Sequence, residues 1–476
     1  MKKPIFALIA LSAAAWALGC EPPVQHQDIV LGTRSLFDKD TGNIPLPNDL
    51  LKDPKTGLLN VPEAPGDSPL TVEIKASIRM LNGWLTSSAI TIPFDGLLDT
   101  ATLTADNIYL YDITNAAATR VDPASYVTMF NIGATSAAGA TPATAPPYTL
   151  TIQNKAQGLQ LPAFPQGHRF MVIVTDGVKD TAGIPIIPDV PFVLLRSTSP
   201  LAKNGHSLFG NDDDQAVKLE FARSMIFAPA FAQVKTAGGP TTEHAVAFSV
   251  FSIQSGPRAV FNPSPFGPVL PTPVEANGPV GTDVKPTIYF DLPVDPATLD
   301  NGTHLFEYND GALTAVAMTP SVAADAVPGS GYLVTISPTA PLKAATQYIA
   351  VTTNKIHGGV KPDGSVANVP AEAWSLFSLM RDKNRLITPA DGAKDDPGQL
   401  ESPLLNSTPA LLVLFSPDPL HATQDEWKNA YGTLAASLQG IEKLRVAHQK
   451  YFDATSKATP PIETLSITAL WPFTTK

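Results

Sequence analysis

From residue 89 onward the chain is built of short segments in which apolar and polar positions alternate: Ala89-Ile90-Thr91-Ile92-Pro93-Phe94, Asn107-Ile108-Tyr109-Leu110-Tyr111, Tyr148-Thr149-Leu150-Thr151-Ile152 and Arg169-Phe170-Met171-Val172-Ile173-Val174. Period two with β-branched and aromatic residues, broken by turn clusters, predicts strands stacked as a sandwich. The preceding stretch, Glu21 to about Leu70, is rich in Pro, Asp and Gly, with Asn43-Ile44-Pro45-Leu46-Pro47-Asn48-Asp49 in its middle. That composition predicts extended, loop-like chain.

The strand pattern returns later in the chain. Phe94-Asp95-Gly96-Leu97-Leu98-Asp99-Thr100-Ala101-Thr102-Leu103 is matched by Phe290-Asp291-Leu292-Pro293-Val294-Asp295-Pro296-Ala297-Thr298-Leu299. Tyr148 to Ile152 then pairs with Tyr332 to Ile336, and His168 to Val174 with Gln347 to Val351, in the same order. Self-similarity of this length predicts two sandwiches of one type.

Each repeat carries a tail with helical spacing. Asp212-Asp213-Asp214 precedes Ala216 to Ala222 in the first, and Leu438, Ile441, Leu444, Ala447, His448 and Tyr451 recur at helical intervals in the second. A strand-like segment closes each unit, Ala245 to Phe251 and Leu465 to Leu470. Between the repeats, Pro257, Pro263, Pro265, Pro268, Pro271, Pro273 and Pro279 favour semi-rigid extended chain. The expected organisation is a leader over 1–19, a Pro-rich tether over 20–75, a first repeat with its helical tail over 76–255, a linker over 256–281 and a second repeat with its tail over 282–476.

Composition narrows the function classes. At 44% apolar and 16% charged residues the chain has enough core-forming material to fold, and 47 prolines disfavour long helical bundles. The net charge of −11 becomes −13 once Lys2 and Lys3 are set aside, so no nucleic-acid partner is expected, because phosphate binding needs a basic face.

Residues 1–20, MKKPIFALIALSAAAWALGC, combine a cationic start with an apolar run from Ile5 to Leu18 that is short for a membrane span and ends in small residues. Ala17-Leu18-Gly19-Cys20 resembles the lipobox of bacterial lipoproteins, with Ala17 at the position usually held by leucine. The resemblance implies acylation of Cys20, with two or three chains giving stable attachment. Cys20 is the sole cysteine, so no intrachain disulfide can form. Glu21 stands where aspartate would signal inner-membrane retention, which favours the outer membrane, surface-exposed or periplasm-facing.

The segment Ile288 to Val351, with its Val-Asp-Pro-Ala-Thr-Leu opening, resembles S-layer-type bacterial Ig-like domains. Ile44-Pro45-Leu46-Pro47-Asn48-Asp49-Leu50 and Leu81-Asn82-Gly83-Trp84-Leu85-Thr86-Ser87-Ser88-Ala89-Ile90 look like the N-terminal region of extracellular bacterial virulence-factor lipases, some of them surface lipoproteins. In those enzymes an α/β-hydrolase domain follows; here it is expected to be absent, the chain closing at Trp471-Pro472-Phe473-Thr474-Thr475-Lys476.

Candidate chemistry is sparse. A hydrolase serine needs a Gly-x-Ser-x-Gly elbow, and the nearest sequences are Gly205-His206-Ser207-Leu208-Phe209, which lacks the last glycine, and Gly66-Asp67-Ser68-Pro69-Leu70, which suits a turn. The eight histidines show no zinc-site spacing. Asp212, Asp213 and Asp214 are weak calcium candidates without the alternating ligands of an EF-hand, and a helix cap suits them better. Trp84, Trp374, Trp427 and Trp471 could line a binding surface, but packing is the commoner use. No phosphate loop and no cofactor motif occurs. The sequence therefore predicts a mainly β protein of two tandem Ig-like β-sandwich domains, each with a small helical appendage. It would be lipid-anchored and non-catalytic, acting in binding, adhesion or spacing towards a protein or glycan at the cell surface. The alternative is a lipase-related protein, with residual esterase activity or as the accessory subunit of a separate hydrolase.

Overall fold

A computed structural model of the chain describes residues 32–38, 42–63, 67–136, 139–155, 164–208, 212–260, 263–264, 267–268, 279–324, 331–360, 365–373, 375–389, 400–407 and 423–476. Thr33–Lys476 forms one compact unit, separate from Met1–Gly32.

The first sandwich pairs two antiparallel sheets. β1 (Ile90–Phe94), β4 (Tyr126–Phe130) and β5 (Tyr148–Asn154) form one, in the order β1-β5-β4; β2 (Ile108–Asp112), β3 (Thr119–Arg120), β6 (Arg169–Thr175) and β7 (Ala245–Ser252) form the other, in the order β7-β6-β2-β3. Ile90, Ile92 and Phe94 alternate into the core opposite Ile152, Leu150 and Tyr148, as the period-two pattern requires. β6 and β7 are buried along nearly their whole length. Their second face is covered by helices α2 (Val190–Leu195), α3 (Asp213–Ala222) and α4 (Ala228–Thr236), the last two joined by a π-helical turn over Arg223–Phe227. Phe248 on β7 meets Phe192, Phe227 and Phe231 of this layer at ring distances of 5.0, 5.1 and 5.0 Å, edge to face. A strand covered on both sides reads as a continuous apolar run, which is the Ala245 to Phe251 sequence.

The second sandwich repeats this strand order and adds two strands to the edge of its first sheet. β8 (Arg258–Val260), β9 (Thr287–Phe290), β12 (Met318–Ala324), β13 (Tyr332–Pro338) and β15 (Glu372–Ala373) make a sheet of order β12-β13-β9-β8-β15. β10 (Thr303–Asn309), β11 (Ala312–Ala315), β14 (Gln347–Thr353) and β16 (Ile467–Thr474) make a sheet of order β11-β10-β14-β16. The registers correspond: Ile92 faces Leu150 as Ile288 faces Val334, and Phe94 faces Tyr148 as Phe290 faces Tyr332. Its helical layer is α5 (Ser375–Arg381), α6 (Pro403–Ser407) and the 33-residue α7 (Gln424–Ser456), opened by a capping box between Thr423 and Glu426.

Two stretches behave differently from their local composition. Arg258–Val260 lies in the proline-rich region, yet Ala259 pairs antiparallel with Phe290 while Arg258 pairs parallel with Glu372. Arg34 and Ser35 occupy the equivalent places, bridging Ile187 and Phe94. The N-terminal stretch contains helix α1 (Pro69–Ile78), started by the Ser68 hydroxyl accepting from Thr71 N–H and by proline in the first turn. The chain before it lies on the first sandwich: Leu46 bridges Thr91, and the buried Asp49 accepts from the Ser252 backbone and hydroxyl at 2.9 and 2.8 Å. Chain that looks like tether from its prolines is held because its polar groups find partners on β7.

The two repeats share a core. Val127 and Met129 on the outer face of β4, Ala89, and Leu70 and Ile74 of α1 pack in one cluster with Phe377, Leu404, Leu405, Trp427, Tyr431 and Leu438 of the second helical layer. The duplication expected from the sequence is present in the strands, while the two sandwiches are joined in a single unit rather than standing as two separate bodies.

Candidate functional site

The polar groups that hold each repeat together occur twice, in the same arrangement. Asp95, following β1, accepts from the Arg34 backbone N–H at 2.6 Å and from its Nε at 2.8 Å; Asp291, following β9, accepts from the Arg258 N–H at 2.7 Å and its Nε at 2.9 Å. At the end of α2, Arg196 Nη1 donates to the carbonyls of Glu243 and Ala245 at 2.9 and 2.5 Å. At the end of α5, Arg381 Nη1 donates to those of Leu465 and Ile467, both at 2.6 Å. Each arginine thereby fixes the start of the last strand of its sandwich.

A second clamp holds the loop that follows. Glu220 on α3 accepts from the Leu201 N–H at 2.7 Å and pairs with Arg223, whose Nη1 reaches the Ser197 carbonyl at 3.2 Å. Glu442 on α7 accepts from the Leu386 N–H at 3.0 Å and pairs with Arg445, whose Nη1 reaches the carbonyls of Asp382 and Lys383. Loop carbonyls tucked under a helix need donors, and a guanidinium held flat by a carboxylate three residues earlier supplies them.

The repeats diverge at one position beside these clamps. Where the first has Ile187, the second has Glu372, buried among Arg258, Asp291 and Arg381. Burial, opposed by Arg258, pushes the Glu372 carboxyl up to about 8, and its Oε2 has no hydrogen-bond partner among the described residues. At neutral pH it is therefore mainly the neutral acid. Burial also raises Asp291, lowers Arg381 to about 10 and raises Asp382 to about 7, the last with a further push from Glu73. Glu73 comes from α1 and accepts from Lys383 N–H and Asn384 Nδ2. Arg258 Nη1 also donates to Thr86 Oγ1, in the loop before β1, at 3.1 Å. The cluster thus runs from the first sandwich through the second to α1. Glu372 and Arg381 are 7% and 5% exposed, so no substrate reaches them in this conformation, and the chemistry on offer is cohesion with a titratable acid inside it.

The residues singled out from sequence fall elsewhere. Cys20 lies outside the described residues. Asp212 caps α3, accepting from the Asp214 and Gln215 N–H groups, and Asp213 accepts from Ser207 N–H and pairs with His206 Nδ1 at 3.1 Å, while Asp214 lies in the first turn. Ser207 lies in a two-residue strand pairing with Ala202, and Ser68 caps α1. Asp112, Asp176 and Asp213 each hold a histidine, His168, His244 and His206. Among the described residues no three His, Cys, Asp or Glu side chains gather as a metal site, and no helix is long and apolar enough to cross a membrane. Trp84 and Trp427 are buried. The duplicated arginine clamps escaped the sequence reading, although one signal was present: Gly32-Thr33-Arg34-Ser35-Leu36-Phe37 matches Gly256-Pro257-Arg258-Ala259-Val260-Phe261.

No protein-family model matches the chain, and no curated protein matches it. Among solved structures it is similar to the N-terminal part of the bacterial S-layer protein SbsC, at 10% identity over 60% of this chain and 42% of that one with a TM-score of 0.16. It is also similar to domains 1–6 of surface layer protein SbsC, at 10% identity over 67% of this chain and 61% of that one, and to the S-layer protein rSbsC, at 11% over 60% and 57%, both with a TM-score of 0.13. The chain spans less than two thirds of each. Superpositions this poor carry no argument about fold or activity, and the duplication rests on the strand registers above.

Proposed function

We propose that this is a lipid-anchored protein of the bacterial cell envelope whose two Ig-like sandwiches act together, without catalysis, in binding, adhesion or spacing. The observation that carries the reading is the shared core around Met129, Leu70 and Tyr431, which makes Thr33–Lys476 one unit. A spacer or adhesin transmits position only if its modules do not swivel, and a common apolar core supplies that stiffness where a bare linker would not. The lipobox-like Ala17 to Cys20 supports attachment through an acylated Cys20, and Glu21 supports outer-membrane placement. Ig-type folds serve many functions, so the choice of binding over catalysis rests on the residues: the most perturbed acids are buried in structural contacts.

The anchoring is tested by mass spectrometry of the N-terminal peptide and by fractionation of Cys20→Ala, which is expected to leave the membrane fraction. Protease shaving of intact against lysed cells tests surface exposure, expected as cleavage in both. Hydrolysis of short-chain esters and lysophospholipids by the purified chain is expected to stay at the buffer rate. Turnover abolished by Ser207→Ala or Ser68→Ala would overturn the non-catalytic reading in favour of a lipase-related protein.

A further inference from the structure

The first helical layer exposes an apolar face that the fold itself does not require. Val217, Phe221 and Met225 are spaced four apart along α3 and the π-helical turn, so they form one stripe, and Val190 and Val193 extend it onto α2, which packs against that helix. Phe221 is 53%, Met225 61% and Val190 66% exposed. Large side chains at such exposures on two helices in contact point to an interaction surface. The duplication supplies an internal control. Aligning Glu220 and Arg223 with Glu442 and Arg445 places Phe221 on Lys443, which is exposed and charged in the second repeat. The second repeat has one exposed apolar residue in this stretch, Val446, where the first has three, so the helix itself does not require the run of Val217, Phe221 and Met225.

The place of the stripe in the chain says what that is. The compact unit begins at Thr33, whose carbonyl accepts from the Ile187 N–H at 2.9 Å, three residues before α2, and the Phe37 ring lies 5.0 Å from Phe192 on that helix. Ile187, beside the chain start, is itself 37% exposed. The segment from Cys20 to Thr33 reaches at most about 45 Å when fully extended. A lipid attached at Cys20 holds this end of the molecule, and its apolar face, at a high local concentration of bilayer. Lys218 beside the stripe is exposed, Glu220 is neutralised by Arg223 at 2.7 Å and Asp213 pairs with His206 at 3.1 Å, which leaves the exposed Asp214 at the N-terminal edge of the face.

We infer that Ile187, Val190, Val193, Val217, Phe221 and Met225 form a lipid-docking face that lies in the surface of the membrane to which the chain is tethered. The inference deepens the anchored reading above and rests on attachment near residue 20. Shallow insertion of a few apolar side chains beside a tether is enough to orient the body, because each adds its transfer free energy to an association already made local.

The test tethers the chain from Glu21 by an N-terminal hexahistidine tag to vesicles of phosphatidylethanolamine and phosphatidylglycerol doped with a nickel-chelating lipid, so that it does not depend on acylation of Cys20. An environment-sensitive fluorophore is placed through Met225→Cys or, as control, Lys443→Cys. A blue shift with a several-fold rise in emission at 225 and none at 443 is expected. Unchanged emission at 225 on tethering overturns the proposal. So does a shift at 225 that follows protein concentration without vesicles, which would make the occupant a second copy. Mass analysis of the native N-terminal peptide separately decides the acylation, so failure of the anchor and failure of the face give different results.

Discussion

Arg258, which opens the second repeat, donates its Nη1 to the Thr86 hydroxyl of the first at 3.1 Å while its Nε and backbone hold Asp291. One side chain thus fastens the start of its own sandwich and touches the neighbouring one, and the buried acids around it determine how the junction responds to change.

Arg381→Ala is expected to cost about 3–5 kcal/mol, because it frees two buried carbonyls at the start of β16 and removes a buried cation that faces Asp382 and Glu372, which keep only Arg445 and Arg258. Arg196→Ala, the equivalent change at a more open site, is expected to cost about 1–3 kcal/mol. Urea unfolding of the two variants beside the parent checks the order.

The Glu372 carboxyl sits at about 8 in the folded protein against 4.5 in an ordinary setting. Its folded value is raised, so the folded state holds a proton that the unfolded chain has released, and stability falls as pH rises. The contribution is fully present below about pH 4.5 and lost as pH passes about 8. Asp382, raised to about 7 from 3.8, adds to the same decline. Unfolding midpoints measured from about pH 5 to about pH 9 should therefore fall more steeply for the parent than for Glu372→Gln, which keeps the shape and removes the titration.

Met129→Ala removes a side chain of the first sandwich from the core of the second helical layer. A cost of about 2–4 kcal/mol is expected, from lost burial and the cavity left behind. Because that core is common to both repeats, far-UV circular dichroism and tryptophan fluorescence should report one coincident transition, shifted as a whole.

Asp212→Ala is expected to lower stability by about 1 kcal/mol through loss of the α3 cap. Calcium or EDTA should leave the melting temperature of the parent unchanged. A rise with calcium that Asp212→Ala removes would show that the acidic run holds a cation instead.

Much of this fold was legible locally. Ile90-Thr91-Ile92 announces a strand by alternation, and Ala245 to Phe251 announces a covered one by its unbroken apolar run. The N-terminal stretch and the region of Arg258 were not legible. Prolines there argue for free chain, and the partners that hold them, Ser252 for Asp49 and Glu372 for Arg258, lie far along the sequence. Nor was the acidic cluster visible, since Asp291, Glu372 and Asp382 are ordinary surface residues by composition and become unusual only when separate elements close over them.

The strands, the duplication and the helical character of each tail were written in the local pattern, because periodicity and propensity act over a few residues and need no partner. That the outer face of β4 closes over the second helical layer, and that the first layer leaves Phe221 and Met225 facing out, follows from the three-dimensional packing alone. Burial of one face against another depends on complementary surfaces brought together from distant segments, and no local pattern carries that information.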